Sequence, residues 1–585
     1  MSNFNEYNVL DEILGLAGKN NLAHIYLQNL YFRRFRNLHQ VTDVTEAIAL
    51  YADSLRRTPI DHSSYPGTQF NLGHVLALSF EHSGDRASLE KAIIELSGAA
   101  RSNVRPPLFP CQAAKTWLEY TWRYDHSSVL DACDAVVHIL PQLAWLGLPL
   151  PDRHLQLMRT GNMINAVAAS YIEYGDYIKA VEALEQGRSI VWSQLLQLRN
   201  PVDQLREVEP RLANRLAQED IVREIRGVSG FEEFLRPKKL KDLTATGGPG
   251  PIVILNMSSF RCDALIITSA SSDVQHVPLP DFNHNDAQRL QSSLAELLSS
   301  HGRHIIDDRL FGDRESAPHS VVDADENFIS IWPSCVLSAL QLEPKKNDLL
   351  PRLWWCPTGP VTFLPIHAAG LYNTNQPGSK TPDFAGSSYI PTLDAVFKNN
   401  PRGTLQPVKL LAIAQPSGRS PLPGTIEEIR RIESRAVKAN ITYLVDHQAT
   451  IKENRKSPTE SSLILADETH LKLSEIITMS IGRPQLAFMS ACQTATGYER
   501  LSKEAVHLAA GMLLAGYQGI VATMWSIMDR DAPDVAGDFY QYMFREENVD
   551  HTKAAHALHH AVEKLRKRKG GRVFLSWVPF IHMGV

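Results

Sequence analysis

The sequence predicts a chain in two parts, a helical-repeat array followed by an α/β sandwich with a mostly parallel sheet. Three observations lead there. Apolar residues recur at a fixed interval through the first 100 positions. The segment "TATGGPGP" breaks the composition near residue 250. Beyond it, short continuous apolar runs alternate with amphipathic stretches. The expected division is 1–235 for the helical repeats, 236–250 for a linker and 251–585 for the α/β half.

The repeat is read from two stretches, "LQNLYFRRFRNLHQVTDVTEAI" and "LGHVLALSFEHSGDRASLEKAI". Leu27, Phe35, Val44, Ala47 and Ile48 return as Leu72, Phe80, Leu89, Ala92 and Ile93, each pair 45 positions apart. A fixed period of this size marks stacked helical hairpins, because one hairpin cannot bury its apolar face alone. A less regular unit spans Trp117 to Leu140. In the next, "NMINAVAASYIEYGDYIKAVEALEQGRSIVWSQLLQLR", Val167, Ala168, Tyr171, Ala180, Val181 and Leu184 form the apolar sides, and Gly175 with Asp176 makes the turn. These segments resemble tetratricopeptide repeats of a longer variety. The resemblance implies a concave surface for protein or peptide partners; an irregular helical domain without a binding surface is the alternative.

In the second half the runs "PIVILNMS", "DALIITSA", "DVQHVPLP", "LWWCPTGP", "VKLLAIAQP", "ITYLVDHQAT", "LAFMSACQ" and "GIVATMWSIMD" are expected strands. The sharpest feature is "PQLAFMSACQTATG", residues 484–497, where an apolar run delivers Cys492 and breaks into small polar residues. A helix follows, with Ala505, Leu508, Ala509, Met512 and Leu513 on one face and Gly516 as its stop, before a strand from Ile520. In open sheets the crevice beyond the strand ends is where chemistry sits. A thiol there can attack a substrate while adjacent backbone N–H groups hold an oxyanion. The same cysteine is equally compatible with an inert buried position.

"GPIVILNMSSFRCDAL", "LWWCPTGPVTFLPIHAAG", "LAFMSACQTATG", "EAVHLAAGMLLAGYQGIVATMWSIMDRDAP" and "WVPFIHMG", in this order, resemble the CHAT domain, a caspase-like and separase-like cysteine peptidase module commonly preceded by tetratricopeptide repeats. The resemblance covers roughly 250–585 plus "ALEQGRSIVWSQLLQLR" ahead of it. It implies a caspase-like sandwich and places Cys492 at the nucleophile position.

One element of the family pattern is missing. A strand ahead of the cysteine strand normally ends in H-x-x-C-H-G, whose histidine assists the thiol. Here the chain runs "ITYLVDHQATIKENRKSPTESSLILADETHLKLSEI", and "IKENRK" is too charged for a buried strand. A thiol of pKa about 8.5 is only a few per cent thiolate at neutral pH without such a partner. His447, directly after "ITYLV", is the candidate substitute base. His470 precedes "LKLSEI" as a turn residue, and His367 in "FLPIHAAG" reads as structural.

The remaining candidates point elsewhere. His556, His559 and His560 share a helix face without a carboxylate or thiol to complete a metal site. Asp529 and Asp531 follow the last predicted strand, where they either cap the next helix or line a pocket for a basic side chain. The run "KLRKRKGGR" reads as a helix C-terminus with favourable cations. No phosphate loop, dinucleotide fingerprint or G-x-S-x-G elbow occurs, so no cofactor is implied.

A net charge of −5 and a pI near 6.5 give no footprint for nucleic acid or an anionic membrane. The start "MSNFNEYNVLDEILGLAG" lacks the basic and apolar regions of a leader, and no run reaches the about 18 apolar residues of a span. The six cysteines, Cys111, Cys133, Cys262, Cys335, Cys356 and Cys492, are scattered without C-x-x-C spacing, as in a reducing compartment. A cytoplasmic protein is expected. Two function classes remain: a cysteine endopeptidase targeted or restrained by its repeats, and an interaction scaffold with a degenerate peptidase half. A transcript encoding a strand and His-Gly between codons 445 and 460 would restore the first.

Overall fold

The computed structural model describes residues 41–102, 108–143, 163–188, 208–209, 211, 221–230, 239–244, 250–268, 273–300, 333–344, 350–372, 374, 376–397, 409–414, 424–436, 440–445, 462–464, 470–472, 485–489, 508–514, 516–525, 527–546, 549–571 and 573–585. They fall into two compact units, divided at Tyr174 and Gly175.

The first unit is helical. It contains α1 (Val41–Arg57), α2 (Tyr65–Ser83), α3 (Arg86–Ala100), α4 (Leu108–Arg123), α5 (Val129–Leu143) and α6 (Met163–Glu173), each packed on the next. Of the residues that define the 45-position recurrence, Val44, Ala47, Leu72, Phe80, Leu89, Ala92 and Ile93 are buried and Ile48 is half-buried; Leu27 and Phe35 lie outside the described residues. The turn chemistry repeats with the apolar pattern. Gly84 takes φ 70° after α2, donating its N–H to Phe80 O, and Asp85 then caps α3 by accepting from Ala87 and Ser88 N–H. Gly175 and Asp176 reproduce the device with φ 77° and an N–H from Lys179. Glycine supplies the left-handed residue and aspartate the cap, which is why the pair recurs. Met163 through Ile172 of α6 are buried on every side, as an apolar helix without a polar face must be.

The second unit opens with α7 (Tyr177–Gly187) and α8 (Leu240–Thr244), then β1 (Ile252–Met257), β2 (Cys262–Ile267), β3 (Val274–Pro278), α9 (His284–Ser300), β4 (Arg352–Pro357), β5 (Gly386–Tyr389) and α10 (Asp394–Phe397). It continues through β6 (Lys409–Ala414), α11 (Gly424–Arg435), β7 (Asn440–Val445), β8 (Ser462–Ile464), β9 (His470–Lys472), β10 (Leu486–Phe488) and α12 (Leu508–Leu514). It ends with β11 (Gly519–Thr523), α13 (Ala532–Met543), α14 (Ala554–Lys569), α15 (Phe574–Trp577) and β12 (Phe580–Gly584).

Eight strands form one sheet in the order β10-β11-β12-β5-β4-β1-β2-β3. Its seams are parallel at β10–β11, β12–β5, β5–β4 and β4–β1 and antiparallel at β11–β12, β1–β2 and β2–β3. The expected mostly parallel sheet is therefore present, with antiparallel strands toward one edge and one inside. β1, β2, β11 and β12 are buried along their whole length, the pattern of strands covered on both faces. β6 pairs in parallel with β7, and β8 antiparallel with β9.

A layer of three helices runs α11, α13, α14, with α14 lying on β5 and β12. It is held by charge. Arg431 of α11 reaches Asp534 of α13 at 2.5 Å, and Lys564 and Arg568 of α14 each reach Asp538 at 3.0 Å. Lys569 contacts the buried Asp531 at 2.6 Å. Of the cations of "KLRKRK", Lys564, Arg568 and Lys569 thus pair with carboxylates on or just before the neighbouring helix, while Arg566 and Lys567 pair with Glu563 of α14 itself, contacts that the macrodipole reading alone does not describe. Among the described residues no helix is long and apolar enough to cross a membrane.

The expected linker, 236–250, contains α8, whose Leu240 and Leu243 are buried and whose Leu240 N–H is accepted by Glu182 of α7 at 3.0 Å.

Candidate functional site

Among the described residues β10 is the edge strand of the main sheet, aligned parallel to β11 through Leu486–Gly519, Ala487–Ile520 and Phe488–Val521. Phe488 anchors it, with ring centroids 5.0 Å from Phe539 and 5.6 Å from Tyr540 of α13. Met489 N–H donates to Val521 O at 2.9 Å, so sheet pairing persists to the last described residue before Cys492. Cys492 follows three positions later and lies outside the described residues. So does His447, two positions after β7 ends at Val445.

The end of β11 next to this strand is fully built. Thr523 and Trp525 are buried, and Met524 N–H donates to Pro579 O at 2.9 Å. Asp529 accepts the Gly424 N–H at the start of α11 at 2.6 Å. Asp531 occupies the N-cap position of α13 without a side-chain cap bond, because its carboxylate turns inward to Lys569. Neither aspartate therefore caps α13 through its side chain, and each has a defined partner.

The described histidines separate by environment. His367 is tied at both ring nitrogens. Its Nε2 lies 2.9 Å from Val578 O, which can only accept, so Nε2 carries the proton and Nδ1 accepts from Tyr389 OH at 2.8 Å. Burial pushes this imidazole down to about 4, which makes it a neutral structural group. His470 opens β9 opposite Ile464, in a strand where a turn was expected. His556 lies 3.0 Å from Leu350 O, His559 is driven down to about 4 by burial, and His560 faces the Tyr542 ring. The three thus disperse to different partners, and among the described residues no cluster of three metal-binding side chains occurs.

The described thiols give a contrast for Cys492. Cys111, Cys133, Cys262 and Cys356 are buried thiols outside any disulfide. Burial pushes Cys111 up to about 12 and Cys262 and Cys356 up to about 11, values that suppress the thiolate.

Two buried polar clusters escaped sequence reasoning. In the first, Arg188, just past α7, donates to Pro357 O at 3.0 Å and to Cys356 Sγ, while Glu185 accepts the N–H groups of Leu393 at 2.8 Å and Asp394 at 3.1 Å. In the second, Arg352 of β4, His582 of β12 and Ser388 of β5 meet inside the sheet. "EQGR" and "FIHMG" are ordinary sequences, and their partners lie some 200 positions away, beyond any periodicity.

The architecture is thus that of a helical array followed by a mixed α/β sheet in which a cysteine comes four residues after the end of β10. Residues 454–585 match the family model of the CHAT domain, a stretch that includes Cys492 and begins after His447. No curated protein sequence matches the chain. Among solved structures it is similar to the Saccharomyces cerevisiae separase–securin complex at 3.0 Å resolution, with 10% identity and a TM-score of 0.45 over 100% of this chain and 48% of that one. The 2.6 Å structure of the same complex gives 10% identity and 0.45 again, over 49% of that chain. The chain spans about half the length of these proteins.

Proposed function

We propose that this is a CHAT-domain protein resembling a caspase- and separase-like cysteine endopeptidase, located in the cytoplasm, whose tetratricopeptide-like hairpins bind protein or peptide partners. In this form it cuts peptides weakly or not at all. The observation that carries the reading is the CHAT match across 454–585, which takes in Cys492, four positions along the chain from the end of β10, but no H-x-x-C-H-G segment. His367, the described histidine of a family motif, is bound at both nitrogens and has no lone pair to lend. A second reading, a non-catalytic scaffold, draws on the same missing segment.

Loss of a general base alone costs on the order of 100-fold to 10,000-fold in rate. The test is to express the chain beside a version with a family-like histidine segment inserted after Thr450, then measure peptide-library turnover and the pH dependence of iodoacetamide labelling at Cys492. Little turnover and an ordinary thiol pKa are expected from the unmodified chain. Robust cleavage that both Cys492→Ala and His447→Ala abolish would overturn this and make His447 the base.

The junction at 236–250 is proposed as the point where the chain passes from one half to the other, with α7 gripping the sheet from the earlier side. Limited proteolysis is expected to cut within 236–250 outside the buried turn Leu240–Thr244. The two fragments should co-elute on size exclusion, held by the Glu185 and Arg188 contacts. Fragments that separate spontaneously would show that α7 is dispensable.

A further inference from the structure

The eight-stranded sheet has a weak line. β12 pairs with β11 along five residues, from Gly519–Gly584 to Thr523–Phe580, but meets β5 through a single register pair, Met583–Tyr389. The sheet is thus two blocks, β10-β11-β12 and β5-β4-β1-β2-β3, joined at one seam. Side chains, more than ladder bonds, close it. The Trp354 indole N–H donates to Gly584 O at 2.9 Å. Arg352 stands over the Trp354 ring at 4.5 Å and donates from Nε to Ser388 Oγ at 2.9 Å, from Nη1 to Thr552 O at 3.2 Å and from Nη2 to Gly584 O at 3.0 Å.

The remaining contact of Nη2 is His582 Nδ1, at 3.1 Å, and Ser388 Oγ lies 3.0 Å from the same nitrogen. Since a guanidinium has only donors, Nδ1 must accept, and His582 is neutral with its proton on Nε2. A proton added at Nδ1 would face the guanidinium N–H and turn an attraction into a repulsion. Among the described residues no carboxylate faces His582 to compensate. From α14 the facing group is His556, and from the turn before it His551, which sits beside Arg352 and is offset by Asp550. On the β11 side is the Gly519 backbone, so close that a Cβ there would stand 3.1 Å from both His582 Nε2 and the Val585 main-chain oxygen. That leaves no room for a counter-ion. His582 is 1% exposed and its Nε2 has no hydrogen-bond partner among the described residues.

We propose that the β12–β5 seam is a proton-sensitive joint: protonation of His582 breaks the Arg352–His582–Ser388 bridge and releases β10-β11-β12 from the rest of the sheet. The direction of the titration agrees, because burial and then Arg352 hold the imidazole well below its ordinary range. The joint is independent of whether Cys492 is catalytic, although it governs the block that carries the strand before it.

The test is hydrogen exchange on the full chain from pH 7.5 to pH 5, corrected for intrinsic rates, reading 519–523 and 580–584 against 252–267. Uptake of one proton makes seam opening rise about tenfold per pH unit below the imidazole's unfolded pKa. Protection should fall at β11 and β12 while β1 and β2 hold. His582→Asn keeps an acceptor near the Nδ1 position without a titration, so it should stay closed at pH 5. Opening of His582→Asn at pH 5 like the wild type, or loss of protection in all strands together, would overturn the joint. Should that variant not fold, ¹⁵N-histidine spectra of the wild type decide: His582 Nδ1 must gain its proton in step with the loss of seam protection, and a titration without exposure sinks the idea.

Discussion

Acidification from pH 7 to pH 5 is expected to remove about 4–6 kcal/mol of stability from the sheet-bearing unit, through histidines that fold neutral. His367 and His559 are each pushed down to about 4, mainly by burial. His582 is lowered further, and His551 is lowered by burial and by Arg352 despite Asp550. The sign follows from proton counting. In the unfolded chain these imidazoles bind protons near pH 6.5, while the folded unit refuses them until far lower. Their contribution is therefore complete above about pH 6.5, falls as pH drops through that value, and stops falling only below the folded pKa. Each group lowered to about 4 yields about 2 kcal/mol over this window. Glu427 and Glu546, held low by Arg431 and Lys553, titrate beneath this window, and Glu185, raised by burial, acts in the opposite direction, so neither mimics the effect. Denaturant titrations at pH 7, 6 and 5 should show the midpoint sliding down in this range. A change under about 1 kcal/mol would mean the imidazoles are hydrated or protonated in the fold.

The difference between what could be read from residues and what could not is one of range. The hairpins were legible because Gly-Asp turns at 84–85 and 175–176 and the apolar spacing are local, and burial of Leu89, Ala92, Val181 and Leu184 follows directly from that spacing. The strands ending in Met257, Val445 and Phe488 were legible as apolar runs. β5, "GSSY", was not, since glycine and serine are poor strand formers and only its position between β4 and β12 makes it one. Strand direction was equally hidden: β1 and β2 are separated by a short loop and pair antiparallel, although both read as interior strands. Cys492 and His447 were singled out by sequence, and both lie outside the described residues. Arg188, Arg352 and His582 drew no attention, because a lone cation or imidazole gains meaning only from groups that folding brings to it.

Replacing Glu185 with alanine is expected to cost about 3–5 kcal/mol, the typical penalty for breaking a buried ionic arrangement from one side. Its carboxylate is enclosed, and burial raises its pKa, yet it accepts both N–H groups that open α10. Those donors have no intrahelical acceptor at a helix start, so alanine leaves them orphaned. Arg188 loses at the same time the carboxylate that offsets it inside the protein, where it is 6% exposed and holds Pro357 O. The two residues should therefore couple. Arg188→Met alone removes the guanidinium, and the double variant should cost less than the sum of the singles by about 1–3 kcal/mol. Glu185→Gln, which keeps one acceptor and loses the charge, should fall between wild type and Glu185→Ala. In the proteolysed chain the same substitutions should let the fragments on either side of 236–250 part more readily, because α7 loses its two buried charged contacts and keeps Tyr177 against His276, Glu182 against Lys239 and Leu240, and its apolar face. Exchange at 393–397 and 354–357 is the direct readout. If Glu185→Ala leaves both segments protected and the nicked fragments together, α7 does not hold the sheet and those N–H groups find other acceptors.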